Sequence, residues 1–151
     1  PLELPYLSIW VVHVGFHGSV LPKKGFGYLV PTEEGENLLG MVWDSEIFLP
    51  ERQTRLTAMI RAESLDPLQD ALDAIERHLG IQKKPDYQSV HLAKDAIPQF
   101  EVGHEQKIAR FEEEATKSFP HLYLAGNYLT GPSLDACVAR SKYIASALES
   151  A

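Results

Sequence analysis

The sequence predicts an α+β fold: a mixed β-sheet containing a hairpin, together with three helices. Three observations lead there. Runs of β-branched and aromatic residues with strand alternation crowd the first third of the chain. Two stretches, 67–79 and 103–118, carry apolar residues at helical spacing. The chain closes on a strand, a glycine loop and a helix, so strands and helices alternate only late.

Each element has a local cause. Leu7–His17 (LSIWVVHVGFH) is β-branched and aromatic, and Gly18 ends it. Phe26–Val30 and Leu38–Asp44 flank the polar turn Pro31–Asn37, where Gly35 and Asn37 tolerate positive φ, and together they read as a hairpin. Thr54–Arg61 is a third sheet partner. Asp66 suits an N-cap, Pro67 the first helical position and Gly80 the C-terminal stop. Between them Leu68, Leu72, Ile75 and Leu79 make one apolar stripe. Tyr87–Leu92 is a further strand, and Ile97 is extended because it precedes Pro98. Gly103–Ser118 is a charged helix with Ile108, Phe111 and Ala115 turned inward. Strand Leu122–Ala125, loop Gly126–Pro132 and helix Ser133–Ser150 complete the chain.

Composition narrows the function classes. The 151 residues include 44% apolar, enough for a core, and 14 Lys+Arg against 21 Asp+Glu give a net charge of −7. That balance argues against a nucleic-acid partner, which needs a basic face. No apolar run approaches the roughly 18–20 residues of a membrane-spanning helix, so no transmembrane segment is expected. One cysteine, Cys137, precludes an intrachain disulfide framework and fits a reducing, cytoplasmic compartment. The first residue is Pro1, and no signal-peptide pattern follows it. The expectation is an internal fragment or the tail of a longer protein.

Common chemical signatures are missing from the sequence. The six histidines (His13, His17, His78, His91, His104 and His121) form no His-x-x-x-His pair on an expected helix, and a lone cysteine builds no zinc site, so no metal is expected. His13 and His17 share one face of a strand, as ordinary surface polar residues do. There is no Gly-x-Gly-x-x-Gly, P-loop or Gly-x-Ser-x-Gly. What remains is the last strand–loop–helix. A helix start carries free N–H groups and a partial positive charge, Gly126 and Gly131 permit close backbone approach, and Ser133 can cap the helix. Asp135 would repel a phosphate there but tolerates a neutral ring. By spacing alone the same residues suit a plain C-terminal αβ unit better than a ligand site. The hairpin offers a second apolar wall in Gly25–Pro31, Met41–Asp44 and Ile47–Leu49.

Three motifs in order resemble the C-terminal part of the oxygen-dependent, FAD-containing protoporphyrinogen oxidases, members of the amine-oxidase-like flavoproteins. They are Gly25-Phe-Gly-Tyr-Leu-Val-Pro31 with Leu39-Gly-Met-Val-Trp-Asp-Ser45 and Phe48; Ala96-Ile-Pro-Gln-Phe-Glu-Val-Gly-His104; and Leu122-Tyr-Leu-Ala-Gly-Asn-Tyr-Leu-Thr-Gly131 with Cys137 beyond. The resemblance covers nearly the whole chain. It implies the C-terminal part of a two-domain FAD/NAD(P)-binding fold, with 1–121 belonging to the substrate domain and 122–151 completing the FAD-binding domain. Gly131, Pro132, Ser133 and Leu134 match the loop and helix start that face the flavin ring, although Pro132 replaces a small apolar residue and removes a donor. Ala93 stands where many relatives place a Trp against the flavin. Leu29 and Phe48 match positions lining the tetrapyrrole cavity. The resemblance implies no catalytic acid or base in this segment, and it places the remaining FAD contacts on an N-terminal Rossmann-type portion. A tetrapyrrole substrate, O2 as acceptor, a homo-oligomer and peripheral association with an inner membrane belong to the same expectation. A coproporphyrinogen III oxidase, another amine-oxidase-like flavoenzyme and a non-enzymatic binding domain stay open as alternatives.

Overall fold

The computed structural model describes residues 2–47 and 52–149. They divide into two compact units, one made of Ser8–Lys94 and the other of Asp95 onward with the chain start through Leu7. The elements are β1 (Tyr6–His17), β2 (Gly27–Leu29), a 3-10 turn at Thr32–Glu34, β3 (Leu38–Val42), α1 (Asp44–Ile47), β4 (Gln53–Arg61), α2 (Pro67–Leu79), β5 (Tyr87–Pro98), α3 (His104–Ser118) and α4 (Leu134–Glu149). The three expected helices are present, and the one-turn α1 is added where the hairpin exits.

The strands form one sheet in the order β2-β3-β4-β1-β5. β2 pairs with β3, β3 with β4 and β4 with β1, all antiparallel. An isolated bridge from Gly18 to Gln53 is parallel. β1 and β4 alternate cleanly. Val12, Val14 and Phe16 of β1 and Leu56, Ala58 and Ile60 of β4 are buried on one face, together with Leu38 and Met41 of β3. Their neighbours His13, His17 and Arg55 point the other way and are exposed.

Helix α2 closes the buried face. Its caps are as the sequence predicts: the Asp66 carboxylate accepts from the Gln69 N–H at 3.0 Å, and Gly80 takes φ 69° while its N–H returns to the Glu76 carbonyl at 2.8 Å. The stripe is rotated from expectation. Ala71, Ala74, Ile75 and Leu79 are buried, whereas Leu68 and Leu72 sit at its margin, half-buried. Alanine at the contact line lets the helix approach the sheet closely, and the leucines seal the edges.

The hairpin turn is anchored to α2 by polar groups. The 3-10 turn ends at Gly35 with φ 67°, as a left-handed residue should. Glu36 then meets Arg77 Nη2 and His78 Nε2, each at 3.0 Å, while His78 Nδ1 lies 2.9 Å from the Tyr28 hydroxyl. Asn37 does not use positive φ; its amide donates to Asp70 at 2.8 Å. Desolvation pushes the Glu36 carboxyl upward, but hydrogen bonds from His78 and Arg77 outweigh it and hold the group below its ordinary 4.5. Burial, and then the nearby Glu36 charge, raise the Tyr28 phenol to about 12, so it stays a neutral hydroxyl. Gly40 is required by close approach: a Cβ there would stand 2.8 Å from the Tyr28 carbonyl oxygen.

The other unit has a small core. His104 and Ile108 of α3 are buried with Leu129, and Phe111 and Ala115 are half-buried, as their spacing predicts. The residues 122–125, expected as a strand, belong to no strand among the described residues. A strand needs a neighbour to share its ladder, and this segment is held instead by Arg140 of α4, whose Nε donates to the Leu124 carbonyl at 3.0 Å. The same guanidinium pairs with Glu112 of α3 and lies over the Tyr143 ring. α4 fully buries no residue: Leu134, Val138, Tyr143 and Leu148 are exposed, while Ala136, Cys137, Ile144 and Ala147 are half-buried.

Two outcomes follow from this packing. Leu56→Ala, at a fully buried site on a central strand, should cost about 2–5 kcal/mol in urea denaturation, whereas exposed Leu29→Ala should stay within about 0.5 kcal/mol. The Glu36 clasp contributes stability above its ordinary pKa, because the folded value is the lower one, and loses that contribution as pH falls below 4.5. Glu36→Gln should therefore lower the urea midpoint at pH 7 and converge with the parent protein in strong acid.

Candidate functional site

The loop Gly126–Ser133 joins the Arg140-held segment to α4, and its shape comes from two glycines. Gly126 has φ 156°, and a side chain there would collide with the Tyr128 ring. Gly131 has φ 154°, and a Cβ would stand 3.3 Å from the Ala136 methyl. Between them Leu129 plugs into the small core, and its carbonyl lies 3.2 Å from the buried His104 Nε2. Phe100 tilts against the His104 ring at 4.3 Å between centroids. The Ile97–His104 motif and the glycine loop therefore meet physically: the histidine of one supports the backbone of the other.

Past Leu129 the loop is open. Thr130, Pro132, Ser133 and Leu134 are exposed, Leu134 at 85%. Ser133 caps α4, its Oγ accepting from the Ala136 N–H at 3.1 Å. The next amides, those of Leu134 and Asp135, lie in the first turn and have no helical carbonyl partner. The result is a side-chain-poor ledge ending in free donors and flanked by an exposed leucine. It fits a flat, electron-rich ring better than a phosphate, because Asp135 stands in the same turn. Among the described residues no group of three His, Cys, Asp or Glu side chains could hold a metal. Cys137 is half-buried along α4.

In the unit Ser8–Lys94 the expected ligand-facing Leu29 lies on the sheet face turned away from α2. Leu29 is 80% exposed on the short edge strand β2. Its cross-strand partner is Gly40, while Tyr28, one residue before, turns to the α2 side. Phe48 lies outside the described residues. Ala93 is half-buried on β5. This sheet face, turned away from α2, also carries His13, Thr57 and Asp44, joined by hydrogen bonds of 2.9 and 2.7 Å. Reading the sequence for motifs overlooked this cluster. Its signal lies in the pairing register, which sets His13 opposite Thr57 and Thr57 opposite Val42, the residue two before Asp44.

No family model matches the chain. It is 32% identical over 157 residues to protoporphyrinogen oxidase of Homo sapiens, covering 92% of this chain and 33% of that protein. The protoporphyrinogen oxidase of Schizosaccharomyces pombe is 31% identical over 154 residues, covering 91% and 31%. A coproporphyrinogen III oxidase of Bacillus subtilis is 25% identical over 149 residues, covering 89% and 32%. A crystal structure from Exiguobacterium sp. 255-15, named provisionally as a protoporphyrinogen oxidase, superposes with a TM-score of 0.78 at 26% identity, covering 97% of this chain and 35% of the other. Reduced UDP-galactopyranose mutase superposes with a TM-score of 0.68 at 14% identity, covering 83% and 29%, a likeness of fold alone. The chain spans about a third of the length of the curated relatives it matches. Over most of its length this chain is homologous in sequence to protoporphyrinogen oxidases, and its α+β fold is amine-oxidase-like.

Proposed function

We propose that the chain is the C-terminal portion of an FAD-dependent porphyrinogen oxidase. In this reading 1–121 contribute to the substrate domain and 122–151 complete the FAD-binding domain. The parent enzyme dehydrogenates protoporphyrinogen IX to protoporphyrin IX with O2 as final acceptor. The observation that carries the reading is the open glycine ledge beneath α4, occurring in a chain whose relatives are named as porphyrinogen oxidases.

Bound FAD would supply the acceptor for hydride. The chain's own residues would position it. Gly131 and Pro132 leave the ring an unobstructed bed, while the amides of Ser133 and Leu134 donate toward its electron-rich edge, the kind of fixed dipole that favours developing negative charge. Ala93 offers a smaller contact than an aromatic residue would. Leu29 and Phe48 wall the tetrapyrrole. No residue here is assigned as a catalytic acid or base. Peripheral membrane association and self-association of the parent are part of the proposal; no helix among the described residues is long and apolar enough to cross a membrane. The Bacillus relative keeps coproporphyrinogen III oxidation as a second reading.

Two measurements test this. The chain purified by itself should lack stoichiometric flavin absorbance, and a fully yellow preparation would contradict a divided site. In the full-length gene product, Gly131→Val forces a side chain into a strained backbone and should lower FAD affinity about tenfold or more. Assays of that product with both porphyrinogens decide the substrate, and failure to oxidise either would overturn the proposed activity.

A further inference from the structure

The sheet face turned away from α2 carries a directed chain of hydrogen bonds. The Thr57 hydroxyl donates to Asp44 Oδ2 at 2.7 Å, and its oxygen lies 2.9 Å from His13 Nδ1. A hydroxyl has a single proton. With that proton on the Asp44 bond, Thr57 can only accept from the imidazole. The neutral ring of His13 is thereby held as the Nδ1–H tautomer, and its Nε2 is left as an acceptor.

This acceptor stands at the rim of a hollow of about 440 Å³ lined by His13, Gly15, His17, Thr57 and Tyr87. Gly15 adds no side chain to this hollow, and a Cβ there would meet the Tyr87 Cβ at 3.5 Å, an ordinary contact distance. Tyr87 is 63% exposed and offers an aromatic flank. The charged groups around it are engaged. Asp86 accepts from Lys83 and from the His17 backbone N–H, and Arg55 likewise has a partner. The ladder also relates the hollow to Leu29. Leu29 pairs with Gly40, Val42 with Thr57, and Thr57 with His13, so Leu29 and His13 share one face.

We propose that the hollow is a ligand-recognition site in which His13 Nε2 accepts a hydrogen bond from a pyrrole N–H, with Thr57 and Asp44 as positioning residues acting through His13. This role rests on the porphyrinogen oxidase reading and supplies it with a polar contact to the reduced macrocycle. A pyrrole nitrogen is a donor without an available lone pair, so an imidazole fixed as an acceptor complements it, whereas a freely exchanging tautomer would present a competing donor part of the time.

The test uses a dipyrromethane dicarboxylate, its N,N′-dimethyl counterpart and nitrogen-15 spectra of the purified chain. His13 should show a protonated Nδ1 and a bare Nε2, and Thr57→Val should mix the tautomers. The N–H ligand should shift the His13 Nε2 resonance and bind about tenfold more tightly than the methylated one, the worth of one hydrogen bond. His13→Leu should erase that preference and His13→Gln, which keeps an acceptor, should restore part of it. A preference that survives in His13→Leu would be steric and would overturn the assignment, as would absence of binding to the parent chain. If the full-length product still oxidises a porphyrinogen in either case, only the His13 assignment falls. If it oxidises none, the underlying reading falls as well.

Discussion

The contact between the inner face of β1 and β4 and the alanine line of α2 is the constraint on which the Ser8–Lys94 unit depends. Val12, Val14, Phe16, Leu56, Ala58 and Ile60 have only one way to leave water, and Ala71 and Ala74 let the helix come near enough to cover them. Because a strand alternates, that choice fixes the opposite row as well. His13, His17, Arg55 and Thr57 are delivered to the far face by the burial of their neighbours rather than by any interaction of their own. A slip of one residue in the β1–β4 register would bury the histidines and expose the core, so the same packing energy that folds the unit also specifies its polar surface.

The second unit works on a different principle. Its buried set is small, so polar links define its shape. His104 supports the Leu129 carbonyl from beneath, and Arg140 joins α4, α3 and the Leu124 carbonyl through one guanidinium. Such a fork suits the task because its donors are planar and fixed in direction. The glycine ledge is therefore positioned by two side chains outside it, one on each side, while the ledge remains bare.

Much of this was legible in the sequence, for identifiable reasons. The α2 caps were readable because Asp66, Pro67 and Gly80 act through local backbone chemistry. The hairpin followed from two apolar runs around a polar turn. The three ordered motifs were readable as a family resemblance, which the relatives bear out. What escaped was non-local. The strand expected at 122–125 was judged from its own apolar residues, although a ladder depends on a neighbour. Of the stripe Leu68, Leu72, Ile75 and Leu79, the last two enter the core, but proximity to the sheet selects Ala71 and Ala74 over the other leucines. The Asp44–Thr57–His13 chain spans 44 residues and exists only once the register is known.

The bareness of α4 has an energetic consequence. A helix of 16 residues that fully buries none of them is near the length at which an isolated helix is marginal in water. Its order is held by Ser133 at one end and by Arg140 along its length, so it has little cooperativity of its own to draw on. Anything that settles against Leu134, Val138 and Tyr143 would be felt by the backbone as consolidation, and its departure as fraying. Occupancy of that face and order of the helix would then be linked.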